Sequence, residues 1–190
     1  MGWQKFLGGP PDGGDVAAAS SGVRDLDAAD TQTVRRIVGQ LEAMPRDQAR
    51  FLAAFAYILT RAAAADLEIS EVESRAVDSL VAEHGNLPEA QAVLVSQMAR
   101  NQALLYGGTE DYLVTRQFKE LSTDADRLAL LRCCYLIGAA DDEISAAESD
   151  TLQQIATELD VERHEVNAIR HEFAPKLSTI RALLRLREAR

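Results

Sequence analysis

Apolar side chains return every third or fourth position from about residue 30 to residue 175, the spacing of a one-faced helix. Asp30 or Thr31 can cap a first helix bearing Val34, Ile37, Val38 and Leu41. Pro45 suits the opening of the next, whose Phe51, Phe55, Ile58, Leu59 and Ala62 form a buried stripe. Ser70 opens a third, with Val72, Ala76, Val77, Leu80 and Val81, and Gly85 ends it. Pro88 starts a fourth, running to about Leu105, and Gly107-Gly108 breaks the chain. The plan then recurs. A short helix spans about Thr109 to Leu121. Another follows Ser122–Asp124 with Leu128, Leu131 and Tyr135, one opens at Ser145 with Leu152, Ile155, Ala156 and Leu159, and a last carries Val166, Ile169 and Phe173 before Pro175.

One phrase punctuates both halves. Residues 65–70 read Ala-Asp-Leu-Glu-Ile-Ser with Glu73 beyond, and residues 140–145 read Ala-Asp-Asp-Glu-Ile-Ser with Glu148 beyond, 75 positions later. Aligning 51–85 with 126–160 pairs Val77 with Leu152, Leu80 with Ile155 and Glu83 with Glu158, and the likeness continues weakly to Ala99 and Phe173 after one deletion. The expectation is an all-α, two-fold pseudo-repeated bundle of about seven to nine helices, with units at about 51–99 and 126–173 of a domain covering 30–175. Residues 1–29 read as a flexible segment: Trp3, Phe6 and Leu7 form a small apolar hook before a Gly/Pro/Ala/Ser-rich stretch. Residues 176–190 read as a basic amphipathic helix, in which Lys176, Arg181, Arg185, Arg187 and Arg190 face only Glu188.

Composition narrows the function. Aromatics make up 5% of the chain, and alanine is abundant, which favours helix over sheet. A formal charge of −10 argues against nucleic acid as a partner, because phosphate neutralisation needs a basic surface. There is no spanning-length apolar run and no secretory leader pattern, and Cys133 and Cys134 are adjacent on a helix, where a mutual disulfide is disfavoured. A reduced cytoplasmic setting follows, with peripheral membrane contact open through the hook or the basic helix.

The repeated turn supports two readings. In the first, Ser70 with Glu73 and Ser145 with Glu148 are capping boxes, each worth roughly 1 kcal/mol. Capping leaves Asp66 and Asp141 unaccounted for, since a carboxylate at a helix C-terminus opposes the macrodipole. In the second, Asp66, Glu68, Ser70 and Glu73 gather three carboxylates and a hydroxyl, with Asp141, Asp142, Glu143, Ser145 and Glu148 as a second set. A hard divalent cation such as calcium takes oxygens of this kind. The turn is too short for the EF-hand loop and lacks its central glycine.

These doubled turns resemble the TerB-like family, tellurite resistance protein B and its relatives, over roughly residues 30–175. The resemblance implies a non-catalytic, stress-associated helical module with divalent metal binding at Asp66, Glu68 and Glu73 and at Asp141, Glu143 and Glu148. The family's usual glycine is Leu67 in the first copy and Asp142 in the second, and only Asp142 readily tolerates positive φ.

Other chemistry is thin. His84, His164 and His171 are scattered and read as surface residues, and Cys133-Cys134 sit among Leu130, Leu131, Tyr135 and Leu136, reading as buried and inert. No phosphate-binding glycine loop or nucleophile–base pattern occurs, so no enzyme and no organic cofactor are expected. The runner-up is a metal-free protein-interaction adaptor whose acidic turns only cap helices. The third class, a thiol-dependent detoxifying enzyme, rests on the cysteine pair alone. A protein partner is expected in either of the first two cases.

Overall fold

The computed structural model describes residues 43–66 and 69–188. The apolar hook, the helix expected from Asp30 or Thr31, Leu67 and Glu68 lie outside the described residues.

Among those residues the structure is helical throughout. Eight α-helices run as α1 (Arg46–Ala63), α2 (Glu71–Gly85), α3 (Glu89–Tyr106), α4 (Asp111–Leu121), α5 (Asp124–Gly138), α6 (Ala146–Glu158), α7 (Arg163–Glu172) and α8 (Ser178–Glu188), with a 3-10 turn at Ala174–Lys176. Pro45 and Pro88 sit at the N-caps of α1 and α3, where a missing amide costs no helical hydrogen bond.

Helix α1 is the axis of the fold. From Ala54 to Ala63 every side chain is buried, so the helix is apolar nearly all round and packs against α2, α3, α4, α5 and α6. Helices from both halves of the sequence therefore share one core. Phe51 and Phe118 meet in a tilted pair with ring centres 4.9 Å apart, and Tyr135 and Phe173 stack at 5.4 Å. Leu130, Leu131, Ile137, Leu152 and Ile155 complete the second half of that core.

Helices α2 and α6 begin and end alike. Each opens with a serine–glutamate capping box. Each closes through a residue in the left-handed region, Asn86 (φ 49°) and Asp160 (φ 54°). In both, the next amide reaches back across the last turn: Leu87 N to Ala82 O at 3.0 Å and Val161 N to Ala156 O at 3.1 Å. The left-handed residue after α2 is thus Asn86 and not Gly85. Gly85 itself lies close under Leu52: a Cβ there would stand 2.9 Å from a Leu52 methyl, which would have to shift.

Candidate functional site

The two acidic turns join α1 to α2 and α5 to α6. At the first, Ser70 Oγ accepts from the Glu73 amide at 3.2 Å, and Glu73 Oε2 accepts from the Ser70 amide at 2.7 Å. At the second, Ser145 and Glu148 repeat both bonds at the same two distances. Each box satisfies two amides that a helix N-terminus would otherwise leave bare, and each places a carboxylate at the positive end of the dipole. That placement lets two glutamates be buried, Glu73 6% exposed and Glu148 5%. Glu148 lies against the end of α5, beside Gly138.

The second turn is also closed from outside by the chain that follows α7. Ile144 donates its amide to Lys176 O at 2.8 Å, and its carbonyl accepts from the Ser178 amide at 2.9 Å, an isolated parallel bridge between Ile144 and Leu177. Both side chains are buried, Ile144 completely. Lys176 pairs with the Asp142 carboxylate. Arg181 Nη1 donates to Asp142 O and to Glu143 Oε2, both at 3.1 Å. Asp141 Oδ1 accepts from the Glu143 amide at 3.2 Å. Asp142 stands at φ 78°, the left-handed conformation read for this position from the sequence.

Charge acts in opposite directions within this turn. Burial pushes the Glu148 carboxyl up, the Ser145 bonds pull it down, and the charges of Glu73 and Asp141 push it up again, leaving a net rise. The glutamates of the two turns are therefore near enough to feel each other. The hydrogen bond and charge of Lys176, helped by Arg181, hold the Asp142 carboxyl below the ordinary aspartate value.

A hard cation needs about six to eight converging oxygens. Among the described residues no three His, Cys, Asp or Glu side chains form a group that could hold a metal ion. At the second turn Asp141, Glu143 and Glu148 already face an amide or a guanidinium, as does Glu73 at the first. The described residues thus do not fit a preformed divalent site. Of the six candidate ligands, Glu68 lies outside the described residues, and Asp66 is exposed where the chain leaves α1.

Two polar clusters escaped the sequence reading. Arg61, 8% exposed on α1, makes a two-pronged bond to Glu158 on α6 at 2.7 and 3.0 Å, and lies 3.5 Å from Asp111 on α4. Tyr57 donates its hydroxyl to Asp111 Oδ1 at 2.9 Å, closing a network across three helices. Burial alone would raise the Glu158 carboxyl, but Arg61 holds it below the ordinary value. A charge in the otherwise apolar run of α1 was the signal available in the sequence. The second cluster pairs Cys133 Sγ with His84 Nε2 at 3.4 Å, with the imidazole tilted against Phe55 at 4.9 Å between ring centres. His84 is exposed, as read from the sequence, with one side of its ring resting against Phe55 and Cys133. Burial, with the charge of Glu83, pushes the Cys133 thiol up to about 11, and burial pushes Cys134 up as well. Raised in this way, both thiols favour the neutral form, the less nucleophilic one.

No curated protein and no solved structure matches the chain. The family of tellurite resistance protein TerB matches residues 51–171, from the first buried turn of α1 to the end of α7, and so takes in both acidic turns. With more than half its length so matched, the chain belongs to the TerB family.

Proposed function

We propose that the chain is a non-catalytic TerB-family interaction module whose acidic turns act as helix caps and as seats for basic side chains. One observation carries the reading: the second turn already holds a basic segment of the chain itself. Leu177 lies buried beside Ile144, Lys176 pairs with Asp142, and Arg181 bonds to Glu143. Backbone pairing supplies affinity and the flanking charges select sign, the logic by which an extended peptide is recognised at an exposed backbone edge. The neutral thiols and the internally bonded carboxylates support the absence of catalysis.

A second reading has an observation of its own. Burial raises the Glu148 carboxyl and the like charge of the buried Glu73 adds to the rise, and a divalent cation would offset that cost. In this case the ligands are Asp66, Glu68, Glu73, Asp141, Glu143 and Glu148, rearranged about calcium or a similar ion. Calorimetric titration of chelator-stripped protein with calcium and with magnesium separates the two. The cap-and-seat reading expects no saturable heat and an unchanged melting temperature. Saturable binding at sub-millimolar concentration, lost when Asp141→Asn and Glu148→Gln are combined, would establish the cation instead.

A further inference from the structure

Helix α8 is held at its beginning and bare at its end. Leu177, just before it, is buried, Ile180 packs against the core, and Arg181 is tied to the second turn. Beyond that point Leu183, Leu184 and Leu186 are 66%, 50% and 67% exposed. The element α8 touches most, among the described residues, is the 3-10 turn that precedes it.

The arrangement of these leucines selects among occupants. At 3.6 residues per turn Leu183 and Leu186 stand about 60° apart on one side. Arg187 falls between Leu183 and Leu184, while Arg185 lies across the helix. A dry protein groove taking this strip would have to bury the Arg187 guanidinium, at a heavy desolvation cost unless a carboxylate waited there. A lipid–water interface imposes no such cost. The leucines enter the acyl boundary while arginine stems lie along it and raise their guanidinium groups to lipid phosphates, which they match in geometry. Charge points the same way: Arg185 and Arg187 stand exposed on a chain whose net charge is −10, so the cationic, apolar end of α8 is set apart from the acidic remainder. Among the described residues no helix is long and apolar enough to cross a bilayer, so contact through α8 would lie in the plane of the surface.

We propose that the distal half of α8 is a docking arm for an anionic lipid surface, with Leu183, Leu184 and Leu186 as the inserted residues and Arg185 and Arg187 as the phosphate contacts. The arm goes beyond the reading of the turns and stands whether they act as seats or bind a cation. The full chain should co-sediment with phosphatidylcholine vesicles that contain phosphatidylglycerol, and not with phosphatidylcholine alone. Binding should weaken with added salt. Combined Leu183→Glu and Leu186→Glu should lower it by roughly tenfold or more per leucine. Replacing Arg185 and Arg187 by glutamine should lower it by roughly fivefold per arginine. Since all four side chains are exposed, unchanged circular dichroism and melting of the variants would confirm that the fold is intact. The proposal is overturned by no binding to the anionic vesicles, by equal binding to neutral ones, or by leucine variants that bind as well as the parent. It is equally overturned if light scattering shows a dimer in lipid-free buffer that these leucine changes dissolve, which would make a second copy the occupant.

Discussion

The two acidic turns share a sequence phrase and a cap, yet they are not held alike. At both, a serine and a glutamate exchange the same pair of bonds over the start of a helix. At the first, Ile69 is only half-buried; at the second, the equivalent Ile144 is wholly inside, covered by Leu177 and bridged to it through the backbone. A local motif therefore fixes how each helix begins, while its setting decides how much the turn contributes. What distinguishes the second turn arrives from more than thirty residues downstream, in the Lys176–Arg181 segment.

The largest expected contrast is apolar. Ile144→Ala opens a void in a closed site and should cost about 2–5 kcal/mol, whereas Ile69→Ala should cost clearly less because its site is partly open. Denaturant melts of the two variants measure this, and equal losses would break the comparison. The caps come next. Ser70→Ala and Ser145→Ala should each cost about 1 kcal/mol, and alike, because the two boxes have the same bonds. A cap at one turn worth much more than the other would show that the boxes are not equivalent in solution.

Acid titration gives a smaller and more pointed signal. The Glu148 carboxyl is raised in the folded chain. Its contribution to stability is therefore fully present below the ordinary glutamate value and falls as pH rises through the folded value. Asp142 is lowered and works in the other sense: its contribution is present above the ordinary aspartate value and is lost as pH falls through the folded one. Melting temperature against pH should accordingly rise for Glu148→Gln relative to the parent on going from acid towards neutral, and Asp142→Asn should narrow its deficit as the solution is acidified. Parallel curves for parent and Glu148→Gln would remove the idea that the glutamates of the two turns act on each other.

Much of this was legible in the chain, and for local reasons. A capping box spans four residues, and a stripe such as Phe51-Phe55-Ile58-Leu59 reports its own burial, so both could be read directly. The positive φ at Asp142 followed from an aspartate standing where glycine is usual. Gly85 ends α2 as expected, but the left-handed residue is Asn86, one position on. Contacts between distant residues stayed hidden. Arg61 meets Glu158 across 97 positions and His84 meets Cys133 across 49, and no spacing rule joins them. A list of carboxylates also does not record their partners: Lys176, Arg181 and the cap amides already bond to several of the candidate ligands.

A melt reports the whole domain, so the claim that a basic segment closes the second turn is best read amide by amide. Native-state hydrogen exchange on the parent and on a Lys176→Ala, Arg181→Ala variant measures it directly. The amides of Ile144 and Ser178 should exchange slowly and at a common rate in the parent. In the variant both should speed up together, while those of Ser70 and Glu73 keep their rates. Fast exchange at Ile144 in the parent, or no change in the variant, would contradict the account.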